Sequence, residues 1–212
     1  MNLGSYRIIV KHNDWTSQTE NTTVKLKHLN FHVFKFDSRL YSTTTLYIQG
    51  SIHQKTNFIK ILRSRSEELK LKNIKYDTKY LEFTTPIKNT IYDYIRNFNP
   101  ITSFCYVYNG LEDWIVSYEN VNNIIGELKN NISNSGNVVR IEYINNMGSF
   151  IPMDYLYTKN EQKILLYAIK NGFFKNPRAI KLHEISLFFG ISDAYCSKII
   201  RASVGKLTDS LF

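Results

Sequence analysis

The stretch LHEISLFFGISDAYCSKIIR, residues 182–201, decides how the carboxy-terminal part of this chain folds. Its apolar residues recur at helical spacing twice, with a glycine between the two runs. Ile185 and Phe189 share the inner face of a first helix, and Ser186 is small enough for a second helix to cross closely. Gly190 stands where the chain must turn through a positive φ, which glycine adopts without steric cost. Ile191 then plugs the turn, and Ser192 can cap the next helix through its hydroxyl. Cys196, Ile199 and Ile200 bury that helix on the first, leaving Ser192, Asp193, Ala194, Tyr195, Ser197, Lys198 and Arg201 outside. The spacing predicts a helix-turn-helix, with residues 192–204 as a second helix offering short polar and basic groups to the major groove of duplex DNA.

Upstream, Thr158-Lys-Asn-Glu161 is a capping-box pattern opening a helix, with Ile164, Leu165, Ala168 and Ile169 as its apolar stripe and Gly172 as its stop. Charge agrees with this reading. Residues 155–212 carry nine basic and four acidic side chains, so a net +5 of the chain's +9 sits in 58 of its 212 residues, as a phosphate-tracking surface requires. Lys198 and Arg201 are the leading candidates for base or phosphate contacts, Arg178 and Lys181 for supporting ones. Tyr195 fits either stacking on the nucleic acid or packing under the helix. Asp193 suits the positive end of the helix dipole better than a base edge.

Tyr157-Thr-Lys-Asn-Glu-Gln-Lys-Ile-Leu, Ala168, Gly172-Phe173-Phe174, Pro177-Arg178, Gly190-Ile-Ser192, Ile200-Arg201 and Lys206-Leu207 together resemble the bacterio-opsin-activator-type helix-turn-helix of archaeal transcription regulators. The resemblance covers about 50 residues and implies a carboxy-terminal domain that binds DNA. The sequence departs from the family pattern at four places: Ser186 replaces Ala, Lys181 a capping Thr or Ser, Phe173 a Tyr, and Gly205 an Ala. The missing cap and the helical glycine each imply about 1 kcal/mol of local weakening. Some archaeal members begin with a strand and a His…Cys-Trp-Thr run. His12-Asn-Asp-Trp-Thr-Ser17 is similar, with Asp14 in the thiol's place.

Before residue 150 the apolar stretches are short and rich in β-branched and aromatic residues, in the manner of strands. Strands are predicted over 6–11, 31–36, 44–49, 74–84, 101–108, 113–118 and 138–144, and helices over 57–69, 87–98 and 121–131. This order implies an α+β class, with an amino-terminal mixed sandwich whose helices cover one sheet face, or a duplicated ferredoxin/ACT-like unit. Val10–Trp15 and Val107–Trp114, each a strand leading to Asp-Trp, form a weak internal echo in favour of duplication. The Asn145–Ser149 run reads as a connector, which gives a domain over 1–148 for sensing or dimerisation and a DNA-binding domain over 150–212.

Composition narrows the function classes. Hydrophobic residues make up 43% of the chain, enough for buried cores, which excludes whole-chain disorder. Two cysteines, Cys105 and Cys196, exclude a disulfide framework and suit a reducing compartment; both read as small buried hydrophobes. Neither a transmembrane window nor a signal-peptide layout occurs, so the expected location is the cytoplasm and no membrane partner is implied. There is no Gly-rich phosphate loop, nucleophile elbow or metal-ligand cluster, and the carboxylate pairs Glu67-Glu68 and Glu112-Asp113 point apart; neither an enzyme nor a cofactor is expected. His28 and His32, four apart on a strand, would share a face but find no third metal ligand. Trp15, Trp114, Tyr106 and Tyr108 fit either core packing or the lining of a small-molecule effector pocket. The basic run Lys55, Lys60, Arg63, Arg65, Lys70, Lys72 and Lys75 reads as a solvated face. One recognition helix reads few base pairs, so a homodimer on paired half-sites is expected. The alternative is an adaptor that docks on transcription machinery without touching DNA, and salt dependence separates the two.

Overall fold

The computed structural model describes residues 3–11, 13–87, 90–119, 124–133, 137–144 and 153–211. The chain divides into two compact units, residues 1–150 and 151–212. Asn145–Ser149 and Val121 lie outside the described residues.

The first unit is an eight-stranded sheet with helices. Its strands are β1 (Leu3–Lys11), β2 (Lys25–Phe36), β3 (Arg39–Gln49), β4 (Lys72–Tyr76), β5 (Tyr80–Pro86), β6 (Thr102–Tyr108), β7 (Leu111–Glu119) and β8 (Asn137–Ile144). Helices α1 (Ile52–Ser64), α2 (Ile91–Asn97) and α3 (Ile124–Ser133), with a 3-10 turn at Trp15–Thr19, fill the connections. The sheet order is β4-β5-β3-β2-β6-β7-β1-β8, and the described pairings are antiparallel.

That order equals its own reverse when β1–β4 are exchanged with β5–β8. Each half reads strand, helix, strand, strand, helix, strand once the 3-10 turn is counted, which is the ferredoxin-like order. The halves have traded their first strands: β1 pairs with β7 and β8, and β5 with β3 and β4. The echo noticed in the sequence does not reflect this symmetry. Val10–Trp15 runs from β1 into the 3-10 turn, whereas Val107–Trp114 spans the β6–β7 hairpin, and the counterpart of β1 is β5.

Strand alternation sends Ile8, Val10, Leu26, Leu46, Ile48, Phe83, Val107 and Val116 to one sheet face, where Phe58, Ile59 and Leu62 of α1, Ile91 and Ile95 of α2, and Leu128 and Ile132 of α3 complete the core. Each such side chain contributes about 1.5–3 kcal/mol on burial. Strands β1, β6 and β7 are also buried over much of the other face, at Ser5, Ile9, Tyr106, Tyr108, Asp113, Ile115 and Ser117. There Arg7 grips Asp113, wholly buried, through Nε (2.9 Å) and Nη2 (2.6 Å), and the Tyr108 hydroxyl donates to the same carboxylate at 2.6 Å.

Several boundaries differ from the sequence reading: β2 begins at Lys25 and β3 at Arg39, six and five residues early, and two further cases have a local cause. The 74–84 stretch is a hairpin, because the Asp77 carboxylate accepts the amides of Lys79 and Tyr80 and turns the chain. Helix α1 begins five residues early, at a Ser51–Gln54 capping box that the apolar spacing alone does not reveal.

The second unit holds α4 (Met153–Leu156), α5 (Lys159–Lys170), α6 (Leu182–Phe189) and α7 (Asp193–Leu211). Ile164, Ala168, Phe173, Ile185, Cys196, Ile199 and Ile200 form its core. Thr158 and Glu161 make both halves of the capping box at the start of α5. None of the described helices is long and apolar enough to cross a membrane.

Candidate nucleic-acid interface

The interface is built on two helix ends of one kind. At Gly172 (φ 75°) the Gly172 amide bonds the Ile169 carbonyl and the Phe173 amide the Ala168 carbonyl. At Gly190 (φ 63°) the Gly190 amide bonds the Leu187 carbonyl and the Ile191 amide the Ser186 carbonyl. Both are Schellman motifs, which satisfy the last carbonyls of a helix and need a left-handed residue that glycine supplies without strain. Phe173 and Ile191, one residue beyond each glycine, fold back on the shared core. The corner between α6 and α7 is therefore fixed by backbone hydrogen bonds and an apolar plug.

Helix α7 starts on Ser192, whose hydroxyl accepts the Tyr195 amide at 3.2 Å. It runs 19 residues to Leu211, past the 204 limit that the sequence suggested; Gly205 lies inside it. Cys196, Ile199, Ile200 and Ser203 are buried, and between them Ala194, Tyr195, Lys198, Arg201 and Ala202 form an exposed stripe. Ser192 and Asp193 are exposed at its start, and Ser197 is half-buried. Lys206 leaves the stripe: its ammonium sits 2.7 Å from both Glu161 oxygens and ties the end of α7 to the start of α5. Burial pushes the Glu161 carboxyl up, but Lys206 and the Thr158 amide outweigh it, and the group titrates below the usual carboxylate range.

Asp193 has a role that the sequence did not disclose. Its carboxylate accepts the buried Ser186 hydroxyl and lies 3.2 Å from His183 Nδ1, so it bolts the first turn of α7 to α6. These two contacts, the Ser186 hydroxyl foremost, hold its pKa below the ordinary carboxylate value. Ser186 also donates to the His183 carbonyl at 2.8 Å. The small Ser186 thus fits the crossing and adds a polar clasp to it.

The two supporting cations sit in the segment before and at the start of α6. Lys181 is exposed and precedes α6, where it cannot cap as a hydroxyl does; Glu184 nonetheless takes the Lys181 amide at 2.7 Å, so half of the capping box survives. Arg178 is exposed, and its guanidinium lies over the Phe173 ring, 4.7 Å from the centroid.

The four aromatics read as pocket candidates are not brought together. Trp15 and Trp114 line one cavity on the helix-covered side of the first unit. Tyr106 and Tyr108 alternate with Cys105 and Val107 and face the opposite side of the sheet, because neighbouring residues of a strand point to opposite faces. His28 and His32 are also parted. A β-bulge after His28 turns β2 over, so that His28 stacks on Phe31 and His32 on Phe34. The described residues hold no cluster of three metal-ligating side chains. The cations of the basic run are largely engaged: Arg65 with Glu68 and Gln18, Lys75 with Glu82, Lys55 with the Thr78 carbonyl, and Arg63 and Lys72 over the rings of Tyr76 and Tyr41.

Residues 157–209 match the family of the HTH DNA binding domain, of the bacterio-opsin-activator type. Among curated proteins the chain finds no match. The chain is α+β, an eight-stranded antiparallel sheet with helices followed by a helical region that carries this domain, and the domain makes it a DNA-binding regulator in general terms.

Proposed function

We propose that this chain is a sequence-specific transcription regulator that reads the major groove with α7. A single observation carries the reading: the Gly190 corner packs the Cys196–Ile199–Ile200 side of α7 into the core it shares with α6 and leaves Ala194, Tyr195, Lys198 and Arg201 as one exposed stripe. Small and basic side chains on one face let a helix approach the base edges, Arg201 being suited to guanine and Lys198 to guanine or phosphate. Ser192 and the amides at the start of α7 suit the backbone phosphates, and Arg178 and Lys181 extend that contact. Asp193 positions the helix.

The first unit is the sensing or dimerising part of this regulator. Two copies reading paired half-sites would reach the specificity that one helix lacks, and an effector would act by biasing the two reading heads. The archaeal and cytoplasmic assignments follow the family type and belong to the same proposal.

The test begins with duplex DNA selected from a random library by the full chain. Lys198→Ala with Arg201→Ala should weaken binding by about 2–4 kcal/mol while thermal unfolding stays nearly unchanged. Wild-type affinity should fall steeply from low to moderate salt, with a slope that the double variant reduces by about 2. Equal binding by the variant refutes the assignment of α7. A second reading, docking on a protein of the transcription machinery, is favoured by Leu187 and Phe188, which are 66% and 64% exposed on α6. Affinity for duplex DNA that is flat with salt selects it.

A further inference from the structure

The first unit contains a cavity of about 140 Å³ between the 3-10 turn, β2, β7 and α2. A cavity of about 150 Å³ accommodates one benzene ring, so this one is sized for a single ring or a compact amine. Four aromatic residues, Trp15, Trp114, Phe31 and Tyr92, line it, together with Ser42, Thr44, Thr85 and Thr90. Phe31 stacks on Tyr92 at 3.9 Å and on the His28 ring at 5.5 Å, and His28 lies about 6 Å from both tryptophans.

The polar groups at this cavity are specific. Both ring nitrogens of His28 are sealed from solvent, and neither has a hydrogen-bond partner within the protein. Burial lowers this imidazole to about 4, against the pull of Glu112, so at neutral pH it is uncharged and offers one N–H and one lone pair. The ring therefore lines the cavity as a neutral aromatic wall, its two nitrogens closed off from the space itself. The bulge after His28 is what brings this ring and Phe31 to the same side.

Charge selects among ligands. Glu112, only 5% exposed, lines the cavity and accepts the Trp114 indole N–H at 2.8 Å; Asp14 lines it too and accepts the Thr16 amide and hydroxyl. Among the described lining residues the one cation is Lys70, which is exposed. Two carboxylates beside π faces repel an anion and attract a cation. A neutral hydrocarbon would fill the space and leave the Glu112 carboxylate without a counter-charge from the ligand.

We infer that this cavity binds a small organic cation, a ring-sized amine or amidine whose charge lies beside the Glu112 carboxylate while its body lies on the tryptophan faces. This gives the effector of the sensing reading a chemical class, and it rests on that reading only for its regulatory consequence.

The chain has two tryptophans and both line the cavity, so intrinsic fluorescence reports on it directly. The full chain is titrated with benzylamine, with benzyl alcohol as its neutral analogue and with benzoate as its anion. Benzylamine should change the tryptophan emission saturably, at least about ten-fold more tightly than the alcohol, with no response to benzoate. In Glu112→Gln, which keeps an acceptor for the Trp114 indole, the preference for the amine over the alcohol should vanish. The wild-type series decides the matter if that variant does not fold. Binding of the alcohol or benzoate as tight as that of the amine, or no saturable response to millimolar benzylamine, overturns the inference. DNA affinity measured in the same samples separates the two readings: emission that saturates with benzylamine while DNA affinity stays constant upholds the cation site and overturns sensing.

Discussion

Replacing Gly190 by alanine tests the corner on which the DNA-reading geometry depends. At φ 63° and ψ 34° an alanine pays the left-handed backbone penalty of about 1–2 kcal/mol. A Cβ built there meets nothing within 4 Å, so no steric cost is added. The stiffer unfolded chain returns about 0.5 kcal/mol, and the net loss is about 1 kcal/mol. Two other glycines calibrate the result. Gly205 lies inside α7 with equally open surroundings, and Gly205→Ala should stabilise by about 1 kcal/mol through helix propensity. Gly172 combines φ 75° with a Cβ position 2.9 Å from Ala179 Cβ and 3.1 Å from Lys175 Cδ, so its alanine variant should lose about 2–4 kcal/mol. Thermal unfolding followed by ellipticity at 222 nm, to which the helices of both units contribute, reads the change at about 4–8 °C in Tm for each kcal/mol. Tryptophan emission from Trp15 and Trp114 reads the sheet unit and should not move. Were residues 182–211 one continuous rod, Gly190→Ala would stabilise as Gly205→Ala does. A shared sign for these two variants therefore refutes the corner.

Glu161 titrates below the usual carboxylate range, so its contribution is complete above the unfolded value of about 4.3 and is lost as pH falls through the folded one. Glu161→Gln should cost about 1 kcal/mol at neutral pH, after solvent screening, and flatten the acid limb of the 222 nm melting curve. Arg7→Met leaves the buried Asp113 with the Tyr108 hydroxyl but without its counter-charge, and should destabilise the sheet unit by about 3–5 kcal/mol in tryptophan-monitored unfolding; Asp113→Asn in the same chain should restore part of the loss. Ser192→Ala removes the acceptor of the Tyr195 amide and should cost about 1 kcal/mol by ellipticity, with emission unchanged.

The helical unit was legible because its signals are local. Thr158 and Glu161 cap a helix three residues apart, Gly172 and Gly190 each end one, and the buried Ile185, Cys196, Ile199 and Ile200 recur at helical spacing. The contacts of Asp193 with Ser186 and His183 were less legible, since they join two helices across the corner and leave no periodic trace. In the sheet unit most strands were visible as β-branched and aromatic runs. The 74–84 hairpin was not, because Asp77 turns the chain through its own side chain without a glycine or proline. Ile52, 77% exposed, opens α1 outside any apolar pattern.

The sequence by itself determined the helix-turn-helix and the basic stripe that α7 presents, because caps, glycine corners and a 3.6-residue period act within a few residues of one another. Only the tertiary structure decided that β1 and β5 change places, that Tyr106 and Tyr108 part from Trp15 and Trp114, and that a bulge carries His28 away from His32 to line a cavity with Phe31. Pairing between strands a hundred residues apart obeys shape and hydrogen-bond register, and a register or a bulge leaves no mark on the residues that flank it.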